Sequence, residues 1–297
     1  MKELLMSTYK ASRVEFLVLP FILVGTGYVA ASYTGDTSIL RTIIALLGLL
    51  AIHVAVNILN EVSDYRTGID EDTEETPFSG GSKSLINSDV DVGKVERIGQ
   101  VFVGISMIVG FYFVAVVGLI ILPVFLLGVL IAYTYTDYLT NYTLGEVGMA
   151  LGLGALPIIG TDIVQNGEFG LMSVVVAVPI SLVAFNLLLM NEFPDVEADR
   201  EGGRKNLIHR FGRRGATKIY IVAALLTHVS IPLIFIATSA GSAVLLTSLS
   251  AVLLYRPFRW AVNNPEETPA NPTIRDNLLW NIVTTVLIGA TLYIGLI

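Results

Sequence analysis

Two stretches of the chain carry the same polar pattern. Asn60-Glu61-Val62-Ser63-Asp64 is followed by Asp70, and Asn191-Glu192-Phe193-Pro194-Asp195 is followed by Asp199. On a helix, residues four apart share a face, so Asn60 stands over Asp64, and Asn191 over Asp195 and Asp199. Each copy then aims a cluster of hard oxygen donors in one direction. Oxygen ligation completed by water and substrate phosphates is what Mg²⁺ prefers. Two such clusters facing each other need cations between them to offset their repulsion. Two Mg²⁺ ions bridging a diphosphate meet both demands. Asn and Asp are also ordinary helix-boundary residues, so one copy has little weight. Two copies at matched positions have much more.

Around the motifs lie groups that fit the same chemistry. Arg13, Arg66, Lys83, Arg204 and Lys205 are candidate cations for a diphosphate, since charge-assisted hydrogen bonds to phosphate are strong. His53 and Asn57 continue the stripe of Asn60 and Asp64 up an otherwise apolar segment. Polar groups there face a cavity or a partner helix. Tyr133, Tyr135 and Tyr138 cluster near the same end and offer faces to a carbocation, or an interfacial aromatic belt. Gly80-Gly81 between Ser79 and Ser82 reads as a tight turn, either a cap over the site or a connector.

The elements that position these residues are membrane helices. Hydrophobic residues make up 54% of the 297 residues and charged ones 14%, and the mean hydropathy is +0.71, whereas soluble domains are about 25% charged. A spanning helix needs roughly 20 mostly apolar residues. Nine stretches qualify, at about 14–33, 39–60, 98–117, 119–136, 146–163, 170–190, 217–237, 241–256 and 277–297, the fourth and eighth being short. With nine crossings, the N-terminus and the loops after spans 2, 4, 6 and 8 share one side. That side holds every Lys and Arg except Arg41, out of 18, and positive charge marks the cytoplasm. The motifs end spans 2 and 6, an even number of crossings apart, which gives two parallel half-repeats. The fold expected is an all-α integral membrane protein of nine helices around a central cavity. It forms one domain over 1–297, with cytoplasmic loops at about 61–97 and 191–216 carrying the motifs.

Composition also excludes several classes. A net charge of -7 argues against nucleic acid as a partner. Cysteine is absent, which removes disulfides, thiolate nucleophiles and Cys-ligated metals. Lys2, Lys10 and Arg13 before an apolar run resemble a signal-peptide start, but no small-x-small cleavage site follows, so the run reads as a retained first span.

The residues resemble those of the UbiA superfamily of intramembrane prenyltransferases, which share nine helices and two Asp-rich motifs. Asn60-Glu-x-x-Asp64-x-x-x-Gly-x-Asp70 with Thr76-Pro77-Phe78-Ser79-Gly80-Gly81-Ser82 is especially similar to the branch that includes 1,4-dihydroxy-2-naphthoate prenyltransferase. Asn191-Glu-x-x-Asp195-x-x-x-Asp199 with Gly203-Arg204-Lys205-Asn206-Leu207 also fits. The resemblance implies that Asn60, Asp64, Asp70, Asn191, Asp195 and Asp199 hold Mg²⁺ and the diphosphate of a polyprenyl donor, with Asp64, Asp195, Asn60 and Asn191 catalytic. It implies an aromatic acceptor near His53, Asn57, Tyr133 and Tyr135, dihydroxynaphthoate before 4-hydroxybenzoate or a glycerol-phosphate lipid. The protein would lie in the plasma membrane, among its lipids, with the site facing the cytoplasm. Related quinone enzymes often carry a Pro pair after span 4, where this chain has Tyr133-Thr134-Tyr135-Thr136-Asp137-Tyr138 before Leu144-Gly145-Glu146. Glu75 replaces a frequent Arg, and Lys83 a frequent Gly. A secondary transporter also carries repeats and polar intramembrane residues, but usually at mid-span. A scaffold protein leaves the matched motifs without a role.

Overall fold

The computed structural model describes residues 2–69 and 82–297, and they contain helices but no strand. The helices are α1 (Lys2–Ala11), α2 (Val18–Ala31), α3 (Ile39–Thr67), α4 (Val92–Val117), α5 (Leu122–Thr134), α6 (Gly145–Ala150), α7 (Leu156–Asn166), α8 (Leu171–Glu201), α9 (Leu207–Ala237), α10 (Tyr255–Asn263) and α11 (Asn271–Leu296). Seven helical runs among the described residues are long and apolar enough to cross a membrane. Leu119–Thr134 is apolar but shorter. Residues Ser242–Leu254, in the eighth expected segment, form a 3₁₀ helix leading into α10. At about 2.0 Å per residue this winding reaches roughly a third further than an α-helix of equal length.

The two acidic motifs differ from expectation in one respect. The sequence expectation sets them in loops at about 61–97 and 191–216, yet α3 continues to Thr67 and α8 to Glu201, so Asn60–Asp64 and Asn191–Asp199 lie on helical backbone. Each polar turn continues the helix that precedes it, and α3 stops at Gly68, which takes φ 78°. There a left-handed cap favours glycine. The fourth helix also starts earlier than expected, because Asp91 accepts a hydrogen bond from Gly93 N at 3.0 Å and caps it.

The helix carrying the second motif is central. It buries Val183, Leu189, Met190 and Phe193 against Tyr220 of α9, Trp260 of α10 and Trp280 of α11. Its N-terminal half packs Val176 and Ile180 against Leu23 of α2, Ile158 of α7 and Ile288 of α11. Lipid tails are as apolar as these side chains, so interhelical hydrogen bonds add specificity. Asn186 Nδ2 donates to Tyr220 O at 3.0 Å, Tyr220 OH to Asn277 Oδ1 at 2.8 Å, and Asn277 Nδ2 to Asn186 O at 3.2 Å. This ring ties α8, α9 and α11 together beneath the second motif.

Candidate active site

A cavity of about 410 Å³ runs between α2, α3, α4, α5, α7 and α8. Along α3 it is lined from Ala45 to Asp64, roughly 28 Å at about 1.5 Å per residue, close to the depth of a bilayer core. Its far end is apolar, with Phe113, Val124, Phe125 and Val164 on the wall. Its other end is polar and is where both motifs meet.

Asn60, Asp64, Asn191, Asp195 and Asp199 all line that polar end. Within the first motif, Asn60 Nδ2 donates to Asp64 Oδ2 at 2.8 Å, as the four-residue spacing requires. Thr136, in the π-helical turn Tyr135–Leu139, donates to Asn60 Oδ1 at 3.2 Å. Arg204 joins the copies. Its guanidinium pairs with Asp64 and lies 3.5 Å from Asp199 Oδ1. Burial works against its charge, but Asp64 and Asp199 outweigh that and hold its pKa above the ordinary value. Asp199 also accepts from Asn206 Nδ2 at 3.1 Å. Asn206 in turn caps α9, accepting from Ile208 N and His209 N at 3.1 Å each.

The glutamates of the two motifs turn to other tasks, since adjacent helical positions point about 100° apart. Glu61 is fully buried and accepts from Ser82 N and Ser84 N at 3.0 Å each, and from both serine hydroxyls. Arg13 NH2 stands 3.9 Å from its other side. Glu192 meets the buried Glu146, and Glu146 Oε1 accepts from Leu207 N at 2.8 Å, at the start of α9. Glu61 therefore fixes a neighbouring segment against its motif, whereas Glu192 lines the cavity with its Oε2 buried and without a hydrogen-bond partner among the described residues. The repeated Asn-Glu dipeptide was the available sequence signal, but nothing in it distinguishes a ligand from a clamp.

The other expected residues divide. Arg13, His53, Asn57 and Tyr135 line the cavity. Asn57 Nδ2 donates to Ser12 O at 3.1 Å and so fixes the turn that carries Arg13, whose φ is 47°. Tyr133 does not line the cavity and is 69% exposed. Two residues apart on a helix, Tyr133 and Tyr135 lie on opposite sides. Arg66 has likewise rotated away from Asp64, and it forks onto Glu96 of α4 at 3.1 and 2.7 Å. Lys83 and Lys205 lie beside the site without lining the cavity. Lys205 N donates to Thr140 O at 2.8 Å, while its side chain faces outward. Asp70 and the Gly80-Gly81 turn lie outside the described residues.

Two atoms test whether this end fits a metal and a diphosphate. Asn191 Oδ1, an acceptor, and Arg13 Nε, a donor, are both buried without a hydrogen-bond partner among the described residues. Such orphans are costly unless a ligand satisfies them. A cation for the first and an anion for the second do so. Among the described residues no three Asp, Glu or His side chains already converge as a cation site. The oxygens are divided between two helix ends with Arg204 between them, so a cation held there would need further oxygen ligands, such as phosphate oxygens and water.

An all-helical membrane bundle with paired acidic helix ends at the mouth of a long apolar cavity is the architecture of an intramembrane prenyltransferase. The chain belongs to the UbiA prenyltransferase family, whose sequence pattern matches residues 18–283. It is 25% identical over 241 residues to 1,4-dihydroxy-2-naphthoate octaprenyltransferase of Bacillus subtilis, covering 77% of this chain and 76% of that one. It is 22% identical over 284 residues to the Escherichia coli protein of the same name, covering 93% and 91%. Its fold matches a UbiA homologue from Archaeoglobus fulgidus bound to DMAPP and Mg²⁺, with a TM-score of 0.70 at 14% identity over 97% of this chain and 99% of that one. The chain is thus a membrane-embedded prenyltransferase, and family membership sets aside the transporter and scaffold alternatives.

Proposed function

We propose that the chain transfers a polyprenyl group from a polyprenyl diphosphate to 1,4-dihydroxy-2-naphthoate, in a reaction that needs Mg²⁺. The observation that carries this reading is the meeting of the two acidic motifs at one end of an apolar cavity, beside the orphaned Arg13 Nε and Asn191 Oδ1. A prenyl diphosphate has the matching shape, an anionic head and a hydrocarbon tail. Naphthoate is favoured over other aromatic acids by the names of the sequence relatives, and Mg²⁺ by the ligands of the structural neighbour.

Asn60, Asp64, Asn191, Asp195 and Asp199 would hold two Mg²⁺ ions, together with Asp70. When bound, Mg²⁺ stabilises charge building on the departing diphosphate. Arg13 and Arg204 bind the same oxygens through charge-assisted hydrogen bonds, with the positive charge of Lys83 and Lys205 beside the site. The apolar wall excludes water from the allylic cation, and Tyr135 lines the place where that charge forms. The bond from carbon to diphosphate oxygen breaks and a carbon–carbon bond forms at the acceptor ring. The ring carbon then releases the substituent it carried, as a proton or CO₂. His53 and Asn57, deeper along α3, orient the acceptor.

We place this single domain of 1–297 in the plasma membrane with nine crossings, two parallel half-repeats, and the N-terminus and cavity mouth in the cytoplasm. The distribution of Lys and Arg supports that orientation. A lipid acceptor is the second reading, because the fold also matches digeranylgeranylglyceryl phosphate synthase at a TM-score of 0.70 and 15% identity. The test is product mass. Purified protein in detergent with Mg²⁺ receives prenyl diphosphates of several lengths with dihydroxynaphthoate, 4-hydroxybenzoate or a prenylated glycerol phosphate. A prenylated naphthoate supports the first reading, and an ether lipid alone supports the second. No prenylated product from any pairing overturns the assignment.

A further inference from the structure

The cation joining the two motifs belongs to the chain itself. Arg204 pairs with Asp64 on α3, lies 3.5 Å from Asp199 on α8 and 3.5 Å from Asn60 Oδ1. The three side chains are close to dry, at 16%, 5% and 9% exposure for Arg204, Asp64 and Asp199. Carboxylates buried this way are strongly unfavourable unless a cation compensates them. Arginine stays protonated in proteins, so it leaves these oxygens only by moving. The backbone on both sides is tied down, Arg204 N donating to Asp199 O and Lys205 N to Thr140 O, each at 2.8 Å. Any movement of the charge is therefore confined to the side chain.

We infer that Arg204 is a built-in counter-ion, holding carboxylate oxygens that a divalent cation takes during turnover. The inference deepens the prenyl-transfer reading and rests on it for the identity of the incoming ligands. A metal arriving alone must displace a buried guanidinium that then has no partner. A metal arriving with diphosphate displaces it onto phosphate oxygens, which its planar fork matches. Arg204 thereby couples metal loading to donor loading, and a metal ion without diphosphate binds weakly.

The experiment measures Mn²⁺, as a substitute for Mg²⁺, binding alone to the full chain in detergent, with free Mn²⁺ read by electron paramagnetic resonance. Arg204→Gln removes the charge and should bind Mn²⁺ at least tenfold more tightly than wild type. Arg204→Lys keeps one point charge on a stem that cannot fork across two carboxylates, and should show an intermediate gain. In EDTA, Arg204→Gln should melt below wild type and recover more than wild type does when Mn²⁺ is added. Should Arg204→Gln not fold, Arg204→Lys decides by the same comparison. If the folded variants bind Mn²⁺ no more tightly than wild type, Arg204 is a structural tie or a diphosphate ligand only, and the inference fails. A wild type that yields no prenylated product defeats the functional reading but leaves this comparison of affinities standing.

Discussion

Glu61 of the first motif and Ser84 are joined twice, the serine donating through its N–H at 3.0 Å and its hydroxyl at 3.1 Å. Ser82 makes a second pair of bonds to the same carboxylate, so α3 holds the segment carrying Lys83. Glu61→Gln replaces one accepting oxygen with a donor, which cannot serve this ring of donors. Turnover should fall at least tenfold, and limited proteolysis should cut around residues 82–84 faster than in wild type. Unchanged proteolysis would show that Glu61 does not hold this segment.

Burial decides what substituting the motif aspartates does. Asp64→Ala should reduce turnover by orders of magnitude, and it should also cost about 1–3 kcal/mol of stability by leaving the Arg204 guanidinium short of a partner. Asp195 is only half-buried, so Asp195→Ala should lower turnover comparably with a smaller thermal shift. Turnover assays and melting curves in detergent check both. Near-normal turnover in either variant would break the two-motif site.

Asn191 presents the opposite balance. Its Oδ1 is buried without a partner among the described residues, and leaving such an acceptor unpaired is unfavourable. Asn191→Leu removes that acceptor at similar volume. The variant should melt at or above the wild-type temperature in EDTA while losing at least a hundredfold in turnover, as expected where stability has been given up for function. A lower melting temperature would mean that Asn191 serves the fold.

A metal requirement follows from the hard oxygen donors at the cavity mouth. Excess EDTA should abolish product formation, and Mg²⁺ added beyond the chelator should restore it. Full activity in chelator would remove metal from the mechanism.

Asp162 supplies a control at the opposite end of the bundle. It is 1% exposed and accepts from Ser173 Oγ at 2.6 Å, Asn166 Nδ2 at 2.8 Å and Gly170 N at 3.1 Å. Asp162→Ala orphans these donors and should cost about 2–4 kcal/mol. The protein that remains folded should keep the wild-type kcat. A kcat loss in folded Asp162→Ala would tie this distant network to turnover.

The sequence by itself determined the membrane class, the all-helical character and the paired motifs. Each of these rests on local information: runs of apolar residues, charge at their ends, and a four-residue spacing that one helix turns into one face. Asn60 and Asp64 meet for that reason alone. Tertiary structure decided the rest. It settled which side chains around a helix face the cavity, bringing Tyr135 to the wall and leaving Tyr133 outside. Rotation about a helix is fixed by packing against neighbours, which no single segment encodes. It directed Arg66 to Glu96 rather than to the site, and gave Glu61 the task of holding Ser82 and Ser84. It also placed Arg204 against Asp64, residues separated by 140 positions. That pairing forms because the ends of α3 and α8 converge, and two buried carboxylates brought that close require a positive charge between them.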